Sequence, residues 1–327
     1  MRYMARTFLY LLLALMLSGC GKGKDIVVND LNLGKLEYEG IKIMGVTYDF
    51  YDNGYAAITK ILHENAQLSE TITYENKKYI VAVLGDIKVE ASDAGHRDGV
   101  FGNQYSGIKS PVILELPDTI VSVGSSALEY STAEVIKLPS KAVRLPSRLF
   151  RGCKNIETIE WPANTEFIGG YEMFEGCSSL KTITFSENCE ISTLDGCFLN
   201  CTSLESVVIP GTVYKICNMA FSNCPELTSI TLGEGIEKIG SWAFMSCPKL
   251  THIVIPESVT ELTDEVFHDC TGLKDVTLPD NLNDVPAKLF VDLYSRPTDA
   301  AGITIRVKAD MVSYVQSIYP AANVVAK

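Results

Sequence analysis

Ten cysteines and four histidines are the side chains of this chain best able to bind a metal, form a bridge or act as a nucleophile. Six of the cysteines, Cys153, Cys177, Cys201, Cys224, Cys247 and Cys270, recur at steps of 23 or 24 residues. Such a step sets them one above another in stacked coils about 4.8 Å apart, with their Cβ bonds parallel. A disulfide needs two Cβ atoms about 3.5 to 4.5 Å apart and turned toward each other. The column therefore reads as a ladder of small buried hydrophobes and not as three bridges. Cys197 falls where Ala220 and Ala243 fall in later coils, Cys217 matches Gly240, and Cys189 sits near a turn. Zinc fingers need two close pairs of ligands, which these spacings do not supply, so no metal is expected. His63, His96, His252 and His268 have no recurring hydroxyl and carboxylate beside them, and each reads as a solvated side chain. Gly233-x-Gly235 and Gly21-x-Gly23 lack the spacing and strand–helix setting of a phosphate loop. No catalytic residue and no cofactor are expected.

The elements that position these residues follow from one period. Phe150, Phe174, Phe198, Phe221, Phe244, Phe267 and Phe290 stand at steps of 24, 24, 23, 23, 23 and 23. From Phe150 to Phe267 each unit reads F-x-x-C-x-x-[LI]-x-x-[IV] followed by alternating residues, with Leu128 in the Phe place one coil earlier. Proline follows at Pro162, Pro210, Pro256 and Pro279, where it ends a strand because it cannot donate to the ladder. A later pair such as Val213 and Ile216 packs the far side of the coil. The expected fold is a repeat solenoid, mainly β with short turns and 3-10 segments: a right-handed leucine-rich-repeat coil with one parallel β-sheet.

We place this solenoid at residues 111–308. Residues 36–110 do not repeat and read as a β-rich N-terminal cap that shields the first coil. In it Thr71 to Tyr74 and Tyr79 to Leu84 form a hairpin joined by Glu75 to Lys78, and Ile58 to Leu68 is a short helix or an insertion. Ala91 to Ser110 is polar and Gly-rich and reads as an exposed loop. Val291 to Gly302 replaces a short turn with a longer loop before a strand at Ile303 to Val307. Residues 309–327 form a C-terminal cap, with Asp310 as N-cap of a helix that presents Met311, Val315, Ile318 and Tyr319 on one face.

Residues 1–19 read as an export signal. Arg2 and Arg6 precede an apolar run from Phe8 to Leu17, ten residues long and too short for a spanning helix. Leu17-Ser18-Gly19-Cys20 is similar to the lipobox of a bacterial lipoprotein, so Cys20 is the expected lipidation site and residues 20–35 a tether. The expected location is the outer membrane of the cell envelope. The tether carries Lys22 and Lys24 with only Asp25 and Asp30 as acids, which leaves both an outward and a periplasmic face open.

The repeat, the hairpin-bearing N-terminal block and the ending VKADMVSYVQSIYP together resemble the BspA-type leucine-rich repeat lipoproteins of Bacteroides-like bacteria, over roughly residues 36 to 327. The six cysteines named above match that family's repeat cysteine. The resemblance implies a surface adhesion or recognition protein, since some members bind host matrix proteins or other bacteria.

Charge narrows the partner. Forty acidic against 28 basic residues give a net charge of −12, with no basic stripe to neutralise phosphates, so nucleic acid is excluded. Attachment to a membrane rests on the N-terminal lipid alone. The expected partner is a host matrix protein, a glycan or another envelope protein, bound by a monomer; a structural scaffold within the envelope is the alternative.

Strand parity places a face for it. In L-x-x-I-x-L the Ile and the last Leu point inward, and the residues on either side of the Ile point out. The outward residues include Thr182, Thr184, Ser206, Val208, Ser229, Thr231, His252, Val254, Asp275 and Thr277. These rows hold no aromatic anchor. Phe101 and Tyr105 in the first loop and Tyr294 in the second are further candidate contacts.

Overall fold

In the computed structural model, the structure describes residues 36–44, 46–62, 68–85, 100, 110, 112–139, 144–160, 166–167, 170–185, 191–290 and 300–327. The export signal, Cys20, the tether, His63, His96, Cys189, Phe101, Tyr105 and Tyr294 lie outside them.

The N-terminal block is a sheet of strands β1 (Leu36–Ile43), β2 (Val46–Tyr51), β3 (Tyr55–Ile61), β4 (Thr71–Tyr74) and β5 (Lys77–Leu84) in the order β1-β2-β3-β5-β4. Ile58 to Ile61 is thus the end of a strand, not a helix. Alternating Val, Ile and Tyr suit a pleated, half-buried surface better than a helical face. The hairpin turn is also tighter than expected. Glu75 and Asn76 alone bridge the strands, both in the left-handed region (φ 50° and 61°), as the two-residue turns matching strand twist require. Phe50 centres an aromatic cluster with Tyr48, Tyr74 and Tyr79. The block does not merely sit beside the solenoid. Val83 and Leu84 of β5 pair in parallel with Ser122 and Val123 of the first coil. Val100 then acts as an extra rung: Ile61 N–H donates to its carbonyl at 2.6 Å, and its own N–H donates to Ala127 O at 2.8 Å. Val100 and Ser110 are both buried, so the Ala91 to Ser110 stretch is not exposed throughout. Ser110 is clipped to Ser131 and Thr132 through paired hydroxyl and backbone hydrogen bonds.

Each following coil contributes one strand to a parallel face. Its rows include Val135–Lys137, Thr158–Glu160, Ser206–Ile209, Ser229–Leu232, His252–Val254, Asp275–Thr277 and Thr304–Val307. Strands end before Pro210, Pro256 and Pro279, as the missing N–H dictates. The far side also carries parallel two-residue strands, including Thr193–Leu194, Lys215–Ile216, Lys238–Ile239 and Glu261–Leu262. The sequence suggested packing there, and the backbone adds a ladder.

The Phe turn closes each coil. Two residues before and two after each ring from Phe150 to Phe267, the backbone enters the left-handed region, as at Arg148 and Gly152, Glu172 and Gly176, or Met219 and Asn223. This curl aims the ring inward and its N–H at the next coil, for example Phe221 N to Ala243 O at 2.8 Å. Gly152 has a second reason for being glycine, because an added Cβ would lie 2.3 Å from the Tyr130 ring. The seven Phe rings stack with centroids 5.0 to 5.7 Å apart and planes within 16° of parallel.

The cysteines beside them do more than fill space. Each thiol donates to the turn carbonyl of the preceding coil: Cys153 to Leu128, Cys177 to Phe150, Cys201 to Phe174, Cys224 to Phe198, Cys247 to Phe221 and Cys270 to Phe244, at 2.8 to 3.2 Å. No disulfide joins any of the eight cysteines among the described residues. Burial pushes Cys153 and Cys247 up to about 12, which makes both poor nucleophiles at neutral pH.

The C-terminal cap departs from the expected helix start. Asp310 lies inside a 3-10 turn, Ala309–Met311, with Lys308 at its N-cap, and the α-helix is Val312–Ile318. Neither N-cap residue offers a side-chain hydrogen bond. Asp310 instead stands 3.3 Å from the Lys308 amine. Beyond the helix, Asn323–Ala326 returns as one more parallel strand beside Thr304–Val307.

Candidate interaction surface

The parallel ladders bring the outward strand residues onto one face. Thr182 stands opposite Ser206 and Ser206 opposite Ser229, while Val208 stands opposite Thr231. His252 faces Asp275 and Val254 faces Thr277 in the next pair. Their intervening neighbours Ile183, Val207, Ile230, Ile253 and Val276 are buried. Thr182, Thr184, Ser229, Thr231 and His252 are exposed, and Val208 and Val254 expose 59% and 62% of their surface; Ser206, Asp275 and Thr277 are half-buried.

Electrostatics divide this face. From Thr182 to Val254 its outward residues are hydroxyls, valines and one imidazole, hydrogen-bonded at Nδ1 to Thr251 Oγ1 (3.2 Å). Beyond it Asp275 is held by Arg306 of the next strand through contacts of 2.7 to 3.1 Å. That bidentate pair occupies the Asp275 carboxylate and closes off the neutral stretch.

His268 corrects a sequence expectation. It is buried, not solvated, like Ser222 at the equivalent place two coils earlier, whereas Arg151, Glu175, Leu199 and Met245 there are half-buried. Its Nδ1 lies 3.5 Å from the Glu265 carboxylate, which also accepts the Trp242 indole N–H at 2.8 Å.

The same turn edge holds aromatic and sulfur side chains that parity reasoning overlooked. Tyr171 and Met219 expose 42% and 38% of their surface, and Trp242 is half-buried in the next coil. Met219 and Trp242 occupy a left-handed backbone (φ 58° and 59°) that costs an L-residue about 1 to 2 kcal/mol and glycine nothing. Gly196 fills the equivalent place one coil earlier. The signal was available in the sequence, as the residues two and three places before each Phe. It needed the turn geometry to be read as a surface.

Earlier coils carry charge at this edge. Arg151 bridges Glu129 at 3.0 Å and Glu175 at 2.6 Å, and Arg148 contacts Glu172 at 2.8 Å and lies over the Tyr171 ring. Burial pushes the Glu172 carboxyl up, but Tyr171, Arg148 and Arg151 outweigh it and hold the group below the usual range. Asp195 is shifted the other way, by burial and by the Glu172 charge, with Lys215 opposing.

Among the described residues no group of three or more His, Cys, Asp or Glu side chains could hold a metal, and no helix is long and apolar enough to cross a membrane. The arrangement offers surfaces for contact.

Residues 103–193 and 192–296 match the model of the BspA type leucine rich repeat region, in six copies. No curated protein matches the sequence. Solved structures with a similar course include a leucine-rich repeat protein from Bacteroides ovatus, 20% identical, covering 82% of this chain and 70% of that one with a TM-score of 0.55. Pneumococcal vaccine antigen PcpA aligns at 16% identity over 88% of this chain and 99% of that one, with a TM-score of 0.45. A leucine rich cell surface protein from Faecalibacterium prausnitzii aligns at 18% identity over 86% and 97%, with a TM-score of 0.33.

Proposed function

The chain belongs to the BspA-type leucine-rich repeat family, and from that premise we propose that it is a lipid-anchored envelope protein acting by recognition without catalysis. Cys20 carries the lipid in this reading, and the solenoid presents its strand face to a partner protein or glycan. The observation that carries the reading is the neutral stretch from Thr182 to Val254. In register from Thr182 to Thr231 and free of formal charge along its outward residues, it pays little desolvation cost on burial against an uncharged surface. The exposed Val208 and Val254 supply apolar area within it.

The test is a binding panel with the purified protein against matrix proteins, mucin glycans and whole bacteria, run beside protease shaving of intact cells. Saturable binding to one class and cleavage of the protein on intact cells support the reading. Absence of binding throughout, with full protection from protease, would replace adhesion with an internal scaffold of the envelope.

A further inference from the structure

A second surface, on the turn edge, has the composition of a docking site and a charge pattern that selects its occupant. Asp195, Asn218, Ser241 and Asp264 occupy the same place in four successive coils, so the two carboxylates stand three coil steps, about 14 Å, apart. Between them lie Met219 and Trp242, one coil apart, in a backbone conformation that glycine would adopt without penalty. Trp242 is oriented in advance, because Glu265 holds its indole N–H at 2.8 Å while the ring stays half-exposed. A preset aromatic anchor beside a methionine loses little freedom on binding. Gly196 is buried and places no side chain between Glu172 and Met219.

Carboxylates flank this apolar pair: Asp195 and Asp264 at its two ends and Glu265 beside Trp242. Arg148 and Arg151 are engaged by Glu172, Glu129 and Glu175. Asp195 holds its proton more tightly than usual because burial and the Glu172 charge outweigh the pull of Lys215. A cation arriving there would relieve that repulsion.

We propose that the edge between Asp195 and Asp264 docks a basic protein segment, in which an apolar side chain lies between two lysines or arginines. An extended chain advances about 3.4 Å per residue, and alternate side chains share a face. Basic residues four apart, with the apolar one midway, match the separation of the carboxylates.

The probe is the peptide acetyl-Gly-Lys-Ser-Phe-Ser-Lys-Gly-amide, titrated into full-length protein with 15N-labelled tryptophan. The chain has two tryptophans, Trp161 and Trp242, so the indole N–H signals are separable. The expected result is a saturable shift at the Trp242 indole alone. It weakens at least tenfold for Met219→Ala and for the isosteric pair Asp195→Asn with Asp264→Asn, and is unaffected by Val208→Lys. The proposal is overturned by no shift at millimolar peptide, by an equal shift with both lysines changed to glutamate, or by loss of the shift in Val208→Lys.

Discussion

Tyr319 meets Phe290 edge-on, with ring centroids 5.4 Å apart and planes at 73°, and so ends a stack whose other members lie nearly parallel. Its hydroxyl accepts from Leu289 N–H at 3.1 Å and donates to Pro286 O, tying the C-terminal cap to the last turn. Tyr319→Phe keeps the ring and loses both bonds, at an expected cost of about 1 to 3 kcal/mol. Tyr319→Ala removes the plug and costs about 3 to 5 kcal/mol. Urea unfolding of the two variants checks the order, and amide exchange at Leu289 should quicken in both.

Removing a ring from the middle of the stack should cost more than removing one near its end. Phe221 has a ring on each side, at 5.0 and 5.5 Å, whereas Phe290 has the Tyr319 edge on one side. In a solenoid stability is a sum of coil and neighbour terms, so Phe221→Ala loses two interfaces. We expect about 3 to 5 kcal/mol and a broadened transition in which the two halves unfold at separate denaturant concentrations.

The thiols should be silent in the folded protein. Six of them donate to backbone carbonyls inside the stack, and those at Cys153 and Cys247 rise from an ordinary value of 9.0 to about 12. Iodoacetamide at neutral pH should label the eight described cysteines only as the chain unfolds. Cys224→Val removes one of the two hydrogen bonds to the Phe198 carbonyl, which keeps the Cys201 N–H, and should cost about 0.5 to 1.5 kcal/mol, while Cys224→Ser keeps a donor and costs less.

Alkaline pH tests the same burial from another side. A thiol whose folded value exceeds its unfolded value favours the neutral form in the native state. Its contribution is complete below about pH 9 and lost as pH rises toward 12. Tyr319, raised from 10.0 to about 12, adds a loss over the upper part of that window. The urea midpoint should therefore fall from about pH 9, and less steeply in Cys153→Ser with Cys247→Ser, because serine does not titrate there.

Period and parity made most of the solenoid legible. The Phe and Cys steps placed the stack, and alternation gave the inward set from Ile183 to Val276. Three features escaped because they depend on backbone geometry between coils. A thiol's hydrogen bond requires knowing that the preceding turn leaves its carbonyl facing the column. Val100 lacks the repeat's residues yet takes its rung through two backbone bonds. Met219, Trp242 and His268 were hidden because a turn curling through the left-handed region decides which side chains meet solvent, and period-two alternation says nothing about it.

In the proposed reading a partner binds the neutral strand face. Val208→Lys with Val254→Lys places two charges on outward positions that touch no core, so each change should alter stability by no more than about 0.5 kcal/mol. The direct measurement compares this variant with the unaltered protein for capture of the partner identified in the binding panel, at matched folding by circular dichroism. We expect affinity at least tenfold weaker with an unchanged unfolding midpoint. Equal capture by both proteins would contradict it.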